Sequence, residues 1–397
     1  MRLERPKKNR IYLTTVIMLV FIITISYFLF SQKDKSNTIN NTSDQSASIE
    51  KPEQNIIHFA AMGDMMAHDT IIANAKSEDG YDFAKFFANI RPSYQDSDVV
   101  FCDQEGLSSG ETYGISGYPS FNAPTKFAKD LQSGAGCNLI NLANNHMGDK
   151  GVDAINDTIR LWQGLKPLGF SGANSSSDMQ NQVSYFEKNG IKVGFVAFAD
   201  FNNNQDTPDF AVNNYHDEIL VRKLVSDARV NADLVVVSMH WGVEDSNIVS
   251  ADQQAQVDLL SSLGADVIIG TGPHVLQRVQ VANRDDGSKT VVFYSLGNML
   301  SSQFQTKELI GGIAKFDVTK TDDNIIVISN LAFVPTYMHY EWTAIQEANG
   351  DLLARKNAMI YLLKDSAVPL SKSLLNTTIE EQKQYVVDIL GTDITIQ

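Results

Sequence analysis

From residue 55 onward the chain repeats one unit: a short, nearly continuous apolar run, a polar or Gly-containing turn, then a helical stretch. The clearest runs are Ile56–Met62, Val99–Cys102, Leu139–Leu142, Val193–Ala199, Leu234–Met239, Val267–Ile269 and Val291–Leu296. Such runs read as strands buried on both faces, with helices covering the sheet. Four of them share a lead-in, Asp96-Ser97-Asp98, Gly134-Ala135-Gly136, Asn231-Ala232-Asp233 and Gly264-Ala265-Asp266, which suits a helix ending and turning into a buried strand. The pattern predicts a layered α/β domain over residues 55–340, with no tandem repeat. Residues 341–397 read differently. Thr378-Ile379-Glu380-Glu381 fits a capping box, and Ile379, Val386, Ile389 and Leu390 share a helical face, so this region is expected to be an accessory helical extension.

The amino terminus fixes a compartment. Residues 1–10 hold Arg2, Arg5, Lys7, Lys8 and Arg10 against Glu4, and residues 11–31 are almost entirely apolar. Twenty helical residues rise about 30 Å, the thickness of a bilayer's hydrocarbon core. A cleaved signal peptide would have a shorter apolar region ending in small residues, whereas Tyr27, Phe28, Leu29 and Phe30 stand here. A retained single-pass anchor is expected, with residues 1–10 cytoplasmic under the positive-inside rule. Residues 32–54, rich in Asn, Thr, Ser and Gln, would be a flexible linker, and the main domain would lie outside the cell. There a disulfide between Cys102 and Cys137 is permitted. Each also sits in an apolar, strand-like segment, where an isolated Cys is usually a small buried hydrophobe. The formal net charge of −15 disfavours a nucleic-acid binder with a broad basic face.

The chemistry gathers after the strands. Their carboxyl ends run into Gly63-Asp64, Asp103-Gln104-Glu105-Gly106, Asn144-Asn145-His146, His240-Trp241-Gly242, Gly272-Pro273-His274 and Gly297-Asn298. In open α/β sheets ligands bind outside these ends. Carboxylates, imidazoles and a carboxamide converging on one rim have the composition of a site for one or two divalent metals, Mn, Zn or Fe. Such a centre activates water and clamps a phosphoryl group.

The segments Gly63-Asp64-Met65-Met66, Asn144-Asn145-His146-Met147-Gly148-Asp149, His240-Trp241-Gly242-Val243-Glu244, Gly272-Pro273-His274-Val275-Leu276-Gln277 and Tyr294-Ser295-Leu296-Gly297-Asn298 resemble, in order, the motifs of the CapA/PgsA family of bacterial capsule-synthesis proteins. That family is tied to poly-γ-glutamate capsule synthesis and belongs to the calcineurin-like metallophosphatase superfamily. The resemblance covers about residues 55–340 and implies a calcineurin-like layered α/β sandwich. It also implies metal ligands at Asp64, Glu105, Asn145, His240 and His274, with His146 contacting phosphate or protonating a leaving group beside Asn145. The partners it implies are an anionic polymer and membrane-embedded synthetase or export subunits. This sequence departs from the superfamily at two ligand positions, with Met66 and Gly272 where histidines would stand. His68 and Asp149 are the local candidates to fill in.

Each position also has a plainer explanation. Asp64 could cap a helix, and Asn145-His146 could be a turn with a surface histidine. His240 and His274 could be satisfied core histidines. Asp103 competes with Glu105 for the bridging role. Asp149 and Glu244 would orient adjacent histidines or be solvated loop charges. Trp241 and Asn298 are candidates for ligand contact, and Tyr118 and Phe121, in the Gly/Ser/Tyr-rich segment 106–124, for a loop over the rim. Two roles follow from these features: a non-hydrolytic accessory protein for a surface anionic polymer, or a metal-dependent, phosphoesterase-like hydrolase acting on an envelope polymer.

Overall fold

A computed structural model of the chain describes residues 55–397. The expected cytoplasmic tail (1–10), anchor (11–31) and linker (32–54) lie outside the described residues. Among the described residues no helix is long and apolar enough to cross a membrane.

Apart from a two-residue hairpin at 76–81, the first strands are β1 (Asn55–Met66), β2 (Val99–Glu105), β3 (Leu139–Asn141), β4 (Gly169–Ser171), β5 (Ser184–Lys188) and β6 (Ile191–Ala199). They are followed by β7 (Leu234–His240), β8 (Val267–Thr271), β9 (Leu276–Asn283), β10 (Lys289–Leu296) and β11 (Asn298–Leu300). The last are β12 (Ile310–Lys320), β13 (Ile326–Glu341), β14 (Lys356–Leu362) and β15 (Thr395–Ile396). The main helices are α1 (Asp69–Ala75), α2 (Val152–Leu165), α3 (Glu218–Asn231), α4 (Ala251–Ser262) and α5 (Ile379–Leu390). The larger sheet runs β14-β13-β12-β1-β2-β3-β4, with β11 beside β1 and β15 beside β13; the smaller runs β9-β10-β8-β7-β6-β5.

Side-chain alternation explains why the strands read as continuous apolar runs. On β6, Val193, Phe195, Ala197 and Ala199 face the core between the sheets, while Val196 and Phe198 face the outer layer with Leu220, Val221, Leu224 and Val225 of α3. β7 divides likewise, Leu234 and Val236 inward against Val235, Val237 and Met239 outward. A strand apolar on both faces is buried on both. Phe101 of β2 meets Phe195 of β6 edge-to-face at 6.1 Å, and Phe293 of β10 stacks on Phe316 of β12 at 5.7 Å, joining the two sheets across the core. On the other side, α2 packs Ile155, Ile159 and Trp162 into the same core.

Two expectations are corrected. Residues 341–397 are not helical throughout. The capping box at Thr378 does start α5, but β14 adds a strand to the larger sheet, pairing Leu362 with Thr336 and Ile360 with Met338. Its buried Ala358, Ile360 and Leu362 recur every second residue, the signature of a half-buried strand. The isolated buried thiols are also replaced by a bond: Cys102 and Cys137 form a disulfide with Cα atoms 5.7 Å apart. Asn138 N–H donates to the Val100 carbonyl at 3.0 Å, so the entry to β3 brings Cys137 against β2.

Candidate metal centre

Position 63 sets the geometry of the rim. The pairing of β1 with β2 aligns Met62 with Cys102 and then Asp64 with Asp103, a one-residue bulge at Gly63. A bulge re-aims the side chains that follow it. Only glycine fits, because a Cβ at Gly63 would lie 2.0 Å from the Gly297 carbonyl oxygen. Asp64 N–H donates to that carbonyl at 3.2 Å, tying the end of β1 to the turn after β10. Past the bulge Asp64 lies beside Asp103, and Met66 beside Glu105.

Asp64, Asp103, Glu105 and His240 converge, each offering a ligand atom within 4.8 Å of the others, and all four are buried. Asn141 Nδ2 donates to Asp103 Oδ1 at 2.8 Å. Asp103 Oδ2 and both Glu105 oxygens have no hydrogen-bond partner among the described residues. Buried carboxylate oxygens without donors are costly. A divalent cation would satisfy them, and this donor set of carboxylates and imidazole fits one.

The electrostatics match. Burial, then the neighbouring Asp64, push the Asp103 carboxyl well above the usual carboxylate range. Burial pushes Glu105 up to about 7. Burial also acts against the charge of Asp64, but the His274 imidazole holds it below its ordinary value. His240 is pushed down by burial, which keeps an imidazole neutral and able to ligate. Metal uptake would therefore displace protons from Asp103 and Glu105.

The other rim residues surround this cluster in distinct roles. His240 Nε2 lies 3.1 Å from Asn145 Oδ1, and its Nδ1 lies 3.1 Å from Thr271 Oγ1. His274 is not one of the four converging residues; its Nδ1 sits 3.2 Å from Asp64 Oδ2 and 3.8 Å from Glu105 Oε2. Burial opposes its protonation, but Glu105 and Asp64 hold it up to about 10. Gly272 N–H donates to Asp64 Oδ1 at 2.9 Å, so backbone occupies the place of the missing imidazole. His146 Nδ1 pairs with Asp149 Oδ2 at 2.8 Å, and the same oxygen accepts Phe121 N–H at 2.7 Å. Asn203, absent from the sequence reading, places Nδ2 3.2 Å from His146 Nδ1. Phe121 packs edge-on to His146 at 4.6 Å and to His68 at 5.0 Å, so the 106–124 segment does cover the rim.

Several expectations change. His68 and Asp149 do not complete the ligand set: Asp149 pairs with His146, and His68 lines a neighbouring cavity. Trp241 is core, 2% exposed, donating to the Tyr294 carbonyl at 2.9 Å. Glu244 is exposed and acts on His274 only through its charge. Asn298 is buried and its Nδ2 donates to Gln303 Oε1 and the Glu308 carbonyl, pinning the 301–309 loop, while its Oδ1 has no partner among the described residues. Asp103, weighed only as a competitor to Glu105, joins it. The two lie two apart on one strand and so share a face, a signal the sequence does carry.

The family model described as "Bacterial capsule synthesis protein PGA_cap" matches residues 58–303. The chain is 26% identical over 370 residues to the "PGA biosynthesis protein CapA" of Bacillus subtilis (strain 168), covering 91% of this chain and 90% of that one. It is 34% identical over 181 residues to the "Capsule biosynthesis protein CapA" of Bacillus anthracis, covering 44% of this chain and 42% of that one. Among solved structures, the NAD nucleotidase of Haemophilus influenzae aligns with a TM-score of 0.43 at 9% identity, covering 84% of this chain and 59% of that one.

Proposed function

Because the chain belongs to the bacterial capsule synthesis protein family PGA_cap, we propose that it serves the synthesis or export of a surface anionic polymer of the poly-γ-glutamate type. The observation that carries this reading is the match along nine-tenths of both chains to a protein named for PGA biosynthesis. In this reading residues 11–31 anchor the chain in the membrane and residues 55–397 work outside the cell. The partners are membrane-embedded synthetase or export subunits and the polymer itself, and no nucleic acid is involved. The apolar run and its basic flank support the orientation.

Asp64, Asp103, Glu105 and His240 would hold a divalent metal, Mn, Zn or Fe. Bound there, such an ion supplies Lewis acidity and local positive charge on an otherwise acidic protein. His274 and the Gly272 N–H fix the Asp64 carboxylate, while Thr271 fixes the His240 ring through Nδ1 and would leave Nε2, beside Asn145 Oδ1, to the metal, with Asn145 as a further ligand. Phe121 shields the His146–Asp149 pair from water.

That pair favours a second reading, a metal-dependent hydrolase acting on a bond in an envelope polymer. Burial opposes the charge of His146, but its hydrogen bond to Asp149 raises it above its ordinary value, which favours a general-acid role.

Deletion of the gene, complemented with wild type, Asp103→Asn or Glu105→Gln, tests the first reading. Wild type restores the capsule and the two variants, present at wild-type levels, do not. A deletion strain that keeps its capsule contradicts it. His146→Ala separates the readings: it leaves capsule formation intact for an accessory protein and abolishes it for a hydrolase, with metal content unchanged in both.

A further inference from the structure

Beside the metal centre, between α1 and the 301–309 loop, lies a cavity of about 640 Å³. Its lining is unusual in two independent ways. Large apolar side chains that a soluble surface ordinarily covers gather around it, with Tyr118 73%, Phe304 57% and Leu353 61% exposed. Such a concentration marks a binding surface. The lining also contains Arg355, which is only 3% exposed.

The Arg355 guanidinium is held entirely by neutral oxygens. Nε donates to the Leu352 carbonyl at 3.0 Å, Nη2 to Thr70 Oγ1 at 2.9 Å and Ser302 Oγ at 3.3 Å, and Nη1 to the Ser302 carbonyl. Its faces lie 4.8 Å from the Tyr340 ring and 5.3 Å from the Trp342 ring. Two carboxylates also line the cavity, and both are engaged elsewhere. Glu308 Oε2 accepts Phe304 N–H at 2.9 Å and Gln305 N–H at 2.6 Å, and Asp69 Oδ1 accepts Gly117 N–H at 2.8 Å. Among the described residues, no carboxylate forms an ion pair with Arg355. A buried arginine is normally paired with an anion. Here a rigid, orientated cation is left without one at the wall of an apolar cavity.

We propose that this cavity is a carboxylate-binding subsite, with Arg355 as its fixed cation, Lys76 at its mouth, and Phe304, Leu353 and Tyr118 covering the ligand's methylene groups. The ligand is a chain of carboxylates separated by a methylene pair and an amide, the chemistry of a γ-linked glutamate polymer. The two adjacent methylenes of each γ-linked glutamate suit these apolar walls better than a glycerol-phosphate repeat, whose three carbons all carry oxygen. His68 and Phe121 form the partition to the His146 end of the rim, so a polymer seated here runs past the metal centre. This subsite rests on the polymer reading above.

Full-length protein in detergent, titrated with a γ-linked glutamate hexamer, tests the subsite. Controls are the same hexamer with its α-carboxyls converted to carboxamides, and a glycerol-phosphate oligomer. The hexamer binds, and the amidated hexamer binds about tenfold or more weakly, as does the hexamer to Arg355→Gln, because each change removes one partner of a charged pair. If Arg355→Gln does not fold, the exposed positions Lys76→Gln and Phe304→Ala decide, each weakening the hexamer severalfold with an unchanged thermal melt. Equal binding of the two hexamers, tighter binding of the phosphodiester, or unchanged binding by the folded variants overturns the subsite. A deletion strain that loses its capsule, together with hexamer binding insensitive to these variants, overturns the subsite alone. Absence of hexamer binding with the capsule persisting in the deletion strain overturns the polymer reading as well.

Discussion

Glu105 shows what the centre demands of single residues. Both its oxygens are buried without donors among the described residues, beside Asp64 and Asp103. Metal-free protein tolerates this only by keeping a proton there, which is why burial lifts the carboxyl up to about 7. A carboxyl whose folded-state pKa is raised contributes stability fully below its ordinary value near 4.5, and that contribution is lost as pH rises through 7. In chelator, Glu105→Gln should therefore be about 1–3 kcal/mol more stable than wild type at pH 8, with the gap narrowing at pH 5. Urea denaturation at the two pH values measures it, and a variant no more stable at pH 8 contradicts the account. At this scale the sequence was a good guide. Asp64, Asn145, His240 and His274 all reach the rim, as the strand-end reading required. The division of labour was not legible, because whether a histidine meets a cation, a carboxylate or a carboxamide depends on fractions of an ångström. Trp241 misled for a related reason: it follows a rim histidine in sequence, but its indole turns to the Tyr294 carbonyl in the core.

At the scale of elements, the departure at Gly272 follows from backbone geometry just past the end of β8. Gly272 has φ +104°, and a Cβ there would lie 3.0 Å from the Trp241 carbonyl oxygen and 3.3 Å from His240 Cδ2. A histidine at this position would press on the existing ligand instead of adding one. Gly272→His should cost about 1–3 kcal/mol and bind no additional metal, checked by chemical denaturation and metal analysis. A gain of one ion per chain at unchanged stability would contradict this. The runs that formed β1, β2, β6, β7 and β10 were legible because burial on both faces leaves a dense apolar signature. β14 was not, although Met359, Ile360, Tyr361 and Leu362 form an apolar run, because so short a run cannot be told from a buried helix segment by its pattern alone. The bulge at Gly63 was also hidden, since only its approach to the Gly297 carbonyl from the other sheet demands a glycine.

The whole molecule brings two features together: an acidic chain, and a family whose relatives are named for PGA and capsule biosynthesis, here proposed to serve an anionic polymer. A net charge of −15 repels a polyanion at long range, so contact has to rely on a few local positive charges. The unpaired Arg355 and a metal held by Asp64, Asp103, Glu105 and His240 would supply them. The most direct test is the metal content of full-length wild-type protein, Asp103→Asn and Glu105→Gln, each loaded with Mn, Zn or Fe and dialysed. Wild type should retain at least one ion per chain and melt at a higher temperature than in chelator, while the two variants retain little and show no such shift. Wild-type protein that emerges metal-free, with the same melting temperature in metal and in chelator, would contradict the account.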